Sequence, residues 1–89
     1  MKANFKKLQV EVAFDEFQEL DVAKVLGNFI HASTTDIGLD DVARVIYHSE
    51  GEVEIQQEYA SGIVSLVRDK QCPLLAAVKR AIIKELENE

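Results

Sequence analysis

The clearest hydrophobic pattern in the chain lies in its middle, at residues 39–47. Its apolar residues recur at i, i+3, i+4, i+7 and i+8, which places them along one side of an α-helix. Asp40 and Asp41 open the segment, where the helix dipole favours negative charge. The pattern predicts a central amphipathic helix whose apolar side packs against the flanking segments. The residues on that side are Leu39, Val42, Ala43, Ile46 and Tyr47.

Three further segments repeat this helical spacing, at residues 22–32, 56–67 and 73–86. Asp15 is followed three residues later by Gln18, which has the form of a capping box, so the first helix is predicted to begin at Asp15 or at Asp21. Pro73 suits the first turn of the last helix, where its missing N–H is not needed. The chain therefore predicts four short helices.

Residues 7–14 show a different pattern, with apolar residues at every second position. The alternative is a helix with Phe5, Leu8 and Val12 on one side, but Val10 would then be out of place, so the pattern favours a strand. Residues 52–55 also alternate and are too few for an independent strand. They are predicted to pair with the 7–14 strand or to pack two apolar side chains onto the core.

The predicted fold is mainly α, a single domain over residues 1–89 in which four short helices pack as a bundle. The N-terminal strand and the piece at 52–55 make it a small α+β fold at the margin. Residues 1–6 are predicted to be disordered. No linker rich in Gly, Ser or Pro divides the chain.

The net charge of the chain limits the classes of partner that it is expected to bind. Sixteen acidic and ten basic residues leave a formal net charge of −6, which repels phosphate backbones and anionic lipid surfaces. We therefore expect neither a nucleic-acid nor a membrane partner. No apolar run is long enough to span a bilayer, and the start lacks the apolar stretch of a signal peptide. The expected compartment is the cytoplasm.

The candidate chemical groups are few. Cys72 precedes Pro73 at a predicted helix start, a position that can make a thiol reactive, but no local motif links it to a base. His31 and His48 each end a predicted helix, where a histidine interacts favourably with the helix dipole, and they have no further ligand at metal-binding spacing. The acidic clusters lack the spacing of a calcium loop. We expect no enzyme, no cofactor and no metal site.

The remaining functional signal is a surplus of apolar residues on the last helix. Its apolar side is broader than one packed face of a small bundle needs, which is typical of a helix that binds a partner, although a central position among the other helices would also explain it. We predict a non-enzymatic protein that self-associates or docks on another protein. The proposed core-plus-interface residues are Leu75, Val78, Ile82, Ile83 and Leu86.

Parts of the sequence also agree with two other functions. An acidic regulator that binds a basic partner would agree with the net charge and the acids clustered at residues 15–21 and 36–54. A helix-turn-helix DNA-binding protein would place its turn at residues 33–38. Asp40 and Asp41 then lie on the second helix, where neutral or positive contacts to DNA are needed, which disfavours this reading.

The second half of the chain also resembles a group of known proteins. The order Ala43-Arg44-Val45-Ile46-Tyr47, Glu52-Val53-Glu54-Ile55 and Pro73-Leu74-Leu75 is similar to that of small prophage-encoded proteins of unknown function. The resemblance covers 42–86 and departs at Gln56, where similar sequences carry a hydroxyl or acidic cap. It implies an accessory protein of phage or mobile-element origin with a role in assembly, and no catalytic residues.

Overall fold

The computed structural model describes residues 1–87. Three strands are followed by two helices, a fourth strand and two further helices. The elements are β1 (Lys2–Asn4), β2 (Leu8–Ala13), β3 (Glu16–Leu20), α1 (Ala23–Ser33), α2 (Ile37–Tyr47), β4 (Glu52–Glu54), α3 (Gln57–Arg68) and α4 (Ala76–Glu87). Two antiparallel two-stranded sheets, β1–β4 and β2–β3, accompany the four helices. The prediction of a mainly helical bundle is therefore wrong, because the protein is a small α+β fold.

The strand at residues 7–14 is present as β2, but its partner is β3. Residues 14 and 15 connect the two strands, so little loop entropy is lost when they pair. The capping box predicted at Asp15 and Gln18 does not form. A capping residue needs an extended backbone, whereas Asp15 has a left-handed φ of 64°.

Residues 52–54 pair with residues 2–4 rather than with β2, and Ala3 lies opposite Val53. The backbone N–H of Ile55 donates to the carbonyl of Met1 at 2.8 Å, which extends this pairing. Phe5 follows β1 and is completely buried. The sequence-based expectation that residues 1–6 are disordered is corrected by this arrangement, since the β1–β4 pairing and the burial of Phe5 order the segment.

The hydrophobic core lies between the helices and the two sheets. Helix α4 contacts α3, β2 and β1, whereas α1 packs mainly against α2. The largest fully buried side chains come from β2, from the residues that follow β1 and β4, and from all four helices. They are Phe5, Leu26, Ile30, Ile46, Ile55, Ile63, Ile82, Leu86, Val10 and Val67.

Asp21 orients the entry into α1. One carboxylate oxygen accepts a hydrogen bond from the backbone N–H of Ala23 at 3.1 Å, and the other lies 3.3 Å from Nζ of Lys6. These contacts, the Ala23 hydrogen bond foremost, lower the pKa of Asp21 below its usual value of 3.8. The ionised carboxylate is therefore favoured by folding.

We expect Asp21→Asn to reduce stability only where Asp21 is ionised. Because the folded-state pKa is lowered, the contribution of Asp21 is present above pH 3.8 and is lost as the pH falls through the lowered pKa. Urea unfolding of both proteins at neutral pH and at progressively lower pH measures the difference. A gap between the two that persists unchanged at the lowest pH would contradict the assignment.

Candidate interaction surface

The end of the β2–β3 hairpin carries three large apolar side chains in solvent. Phe14 is 95% exposed, Phe17 is 59% exposed and Val12 is 48% exposed. Glu11 lies opposite Phe17 and Ala13 lies opposite Glu16, so Val12 is the extra residue of a β-bulge. The bulge bends the hairpin just beyond Val10, the last β2 residue that is buried. We call residues 12–17 the hairpin tip.

Local contacts hold the turn of the tip. Asp15 adopts the left-handed conformation, which Asp tolerates better than most residues other than Gly and Asn. Its backbone N–H donates to Oε2 of Glu11 at 2.8 Å. The turn therefore carries Phe14 almost fully in solvent, and the next two residues, Asp15 and Glu16, are exposed as well.

A groove of about 390 Å³ runs between the hairpin and α4. Its apolar lining includes Leu8, Phe17 and Ala77, and its cationic lining consists of Lys7, Arg80 and Lys84. The carboxylates of Glu11 and Glu85 also line it. The groove thus combines an apolar surface with a local excess of positive charge in a chain whose net charge is −6.

Both carboxylates of the groove already accept backbone hydrogen bonds. Glu11 accepts from Asp15, and Oε2 of Glu85 accepts from the N–H of Asn4 at 2.9 Å. In contrast, within residues 1–87 none of the three groove cations has a carboxylate within 4.0 Å. Their positive charge is available to a ligand or partner.

The structure disperses the five interface residues predicted on the last helix. Ile82 and Leu86 are fully buried in the core, and Val78 and Ile83 are half-buried against it. Leu75 precedes α4 and is 76% exposed. Ile83 also lines a second hollow with Arg68, Arg80 and Lys84. Much of the apolar surplus of this helix is therefore used in packing within the chain.

Cys72 and the histidines lie in different places. Cys72 is a free, buried cysteine in a hollow lined by Phe29 and Leu66, whereas His31 and His48 line another hollow between α1 and α2. Nδ1 of His31 lies in hydrogen-bonding contact with the carboxylate of Asp40. Within the described part of the chain, no group of three or more His, Cys, Asp or Glu residues could hold a metal ion.

Sequence reasoning did not find the hairpin tip. The pattern places Phe14 in a half-buried strand and Phe17 close to a predicted helix start, and neither position indicates a side chain in solvent. The available signal was the pair of phenylalanines separated by Asp15 and Glu16, since acids beside aromatic residues are poorly suited to a buried strand end.

The comparisons with known proteins add no assignment: no protein-family model, curated protein or solved structure matches the chain. None of the helices in residues 1–87 has both the length and the apolar character needed to cross a membrane. The candidate surface is therefore argued from the side chains of the hairpin tip and the groove.

Proposed function

We propose that this chain is a non-enzymatic interaction protein that self-associates through its hairpin tip. The observation that carries the proposal is the exposure of Phe14, which contributes almost nothing to the core of the monomer. Burying a phenylalanine side chain is worth about 1.5–3 kcal/mol. A second copy that covers Phe14, together with Val12 and Phe17, would gain this free energy on association.

The proposal extends to the setting of the protein. An accessory role in assembly, in a protein of phage or mobile-element origin, agrees with a small chain whose hairpin tip places apolar side chains in solvent. We place the protein in the cytoplasm, in keeping with its single free cysteine, Cys72. Cys72 and the two histidines line different hollows, which supports the non-enzymatic part of the proposal, because a nucleophilic thiol needs a base within reach.

We expect Phe14→Ser to prevent self-association without unfolding the protein. Light scattering on a sizing column, at two protein concentrations and two salt concentrations, measures the solution mass. The wild-type mass is expected to rise with protein concentration and to stay above the monomer mass in high salt, because salt does not screen the apolar part of the contact. Phe14→Ser is expected to keep the monomer mass under the same conditions.

Two exposed apolar residues outside the tip provide controls. Ile37→Ser removes a side chain that is 80% exposed at the start of α2, and it should leave association unchanged. Leu75→Ser tests the surface predicted on the last helix. A Phe14→Ser protein that still associates, or a Leu75→Ser protein that alone becomes monomeric, would overturn the assignment to the tip.

A further inference from the structure

We propose that the hairpin tip of one copy inserts Phe14 into the groove between the hairpin and α4 of a second copy. Asp15 and Glu16 of the tip would then face Arg80 and Lys84 of the groove, and the same contact would form in the reverse direction. This inference rests on the proposed function and adds the receiving site, the pairing of charges and the symmetry of the complex.

The groove has the size and the lining for a phenyl ring. Its volume is about 390 Å³, whereas a cavity of about 150 Å³ in another protein accommodates benzene. Leu8 and Ala77 supply an apolar surface. The ring of Phe17 supplies an aromatic partner, and edge-to-face or offset aromatic pairs stabilise a contact beyond the area they bury.

Charge complementarity identifies the second copy as the occupant. Arg80 and Lys84 lie four residues apart on α4 and therefore on one side of the helix. They have no carboxylate within 4.0 Å among residues 1–87, although the chain carries six more acidic than basic residues. The tip presents two exposed carboxylates beside the most exposed aromatic ring of the molecule.

In the proposed two-fold complex the assembly closes at two copies. Phe14 does not line the groove of its own chain, so the tip and the groove are both available to a partner. In a two-fold complex each tip fills the partner's groove, and every contact is made twice. Neither an exposed tip nor an open groove is left to recruit a third copy.

Charge reversal tests the pairing. The tip variant carries Asp15→Asn and Glu16→Lys, in which Asn keeps the left-handed backbone accessible. The groove variant carries Arg80→Glu and Lys84→Glu. Each variant alone is expected to raise the dimer dissociation constant about tenfold or more, measured by sedimentation equilibrium, because four charge pairs become repulsive or are lost.

The decisive measurement mixes the two variants. The lysine of one tip then faces a glutamate-lined groove, and the unchanged tip of the other chain faces an unchanged groove. We expect the equimolar mixture to recover dimers containing one chain of each kind, identified by native mass spectrometry. A variant with Lys24→Glu and Lys70→Glu, which reverses two exposed lysines away from the groove lining, should dimerise as the wild type does.

The outcomes separate this inference from the proposed function. If Phe14→Ser prevents association but the groove variant dimerises normally, or if mixing restores no mixed dimer, the groove is not the receiving site although the tip still mediates association. A wild-type chain that stays monomeric at its highest soluble concentration would overturn both proposals. Thermal unfolding confirms that each variant is folded, and Arg80→Gln with Lys84→Gln replaces the groove variant if the reversal unfolds it.

Discussion

Phe5→Ala is expected to lower the free energy of unfolding by about 3–5 kcal/mol, the cost of removing a fully buried aromatic side chain. Phe5 has no exposed surface and is the largest of the completely buried side chains. Its backbone carbonyl also accepts a hydrogen bond from the N–H of Val22 at 2.7 Å, which connects the β1–β2 link to the start of α1. Since small domains are stable by about 5–15 kcal/mol in total, the variant loses a large share of its stability.

Phe14→Ala is the matched control, because it makes the same substitution at a ring that is 95% exposed. Its expected effect on stability is within about 0.5 kcal/mol. Urea unfolding followed by far-ultraviolet circular dichroism measures both variants, at a protein concentration low enough to keep the wild type monomeric. Equal losses of stability for the two variants would contradict the burial of Phe5.

The helices could be predicted because their apolar spacing is a local property. Each of the four helices has 11 or 12 residues, long enough for the period to be clear. The start of α2 follows from one side chain. Asp is a preferred residue at helix N-caps, and the carboxylate of Asp36 accepts a hydrogen bond from the N–H of Gly38 at 2.9 Å.

Strand partners could not be predicted in the same way. The period of two identifies β2 but carries no information on which segment pairs with it. The β1–β4 pair joins Ala3 to Val53, residues fifty positions apart, through two strands of only three residues each. The two strands are separated in the sequence by other strands and helices and meet only in the folded chain. A pattern of neighbouring residues therefore cannot indicate that they pair.

The hairpin tip could not be predicted from the sequence for a related reason. An apolar residue at strand or helix spacing can face the core or the solvent, and only the tertiary arrangement decides which. Ile82 and Phe14 were both plausible core residues by pattern, yet Ile82 is completely buried and Phe14 is almost completely exposed. The bulge at Val12, which one-dimensional alternation does not reveal, separates the buried part of β2 from the exposed tip.

Gly27→Ala is expected to destabilise the protein by about 1–2 kcal/mol, although alanine is the better helix former. Gly27 is buried within α1, and an added Cβ would lie 2.8 Å from Cβ of Tyr47 and 2.9 Å from the carbonyl oxygen of Ala43. Neither atom is the end of a flexible side chain, so α1 and α2 would have to separate. Overpacking of this kind costs about 1–3 kcal/mol, which exceeds the gain of about 1 kcal/mol from helix propensity.

Gly62→Ala gives the comparison, because the nearest atom to its added Cβ is Cδ2 of Leu39 at 3.5 Å, an ordinary contact. Helix propensity then dominates, and we expect α3 to be stabilised by up to about 1 kcal/mol. Urea unfolding of the two variants and the wild type should therefore show a lower free energy of unfolding for Gly27→Ala and a higher one for Gly62→Ala. Propensity alone predicts that both substitutions stabilise, so a stabilised Gly27→Ala protein would show that α1 and α2 do not approach each other as closely as the structure places them.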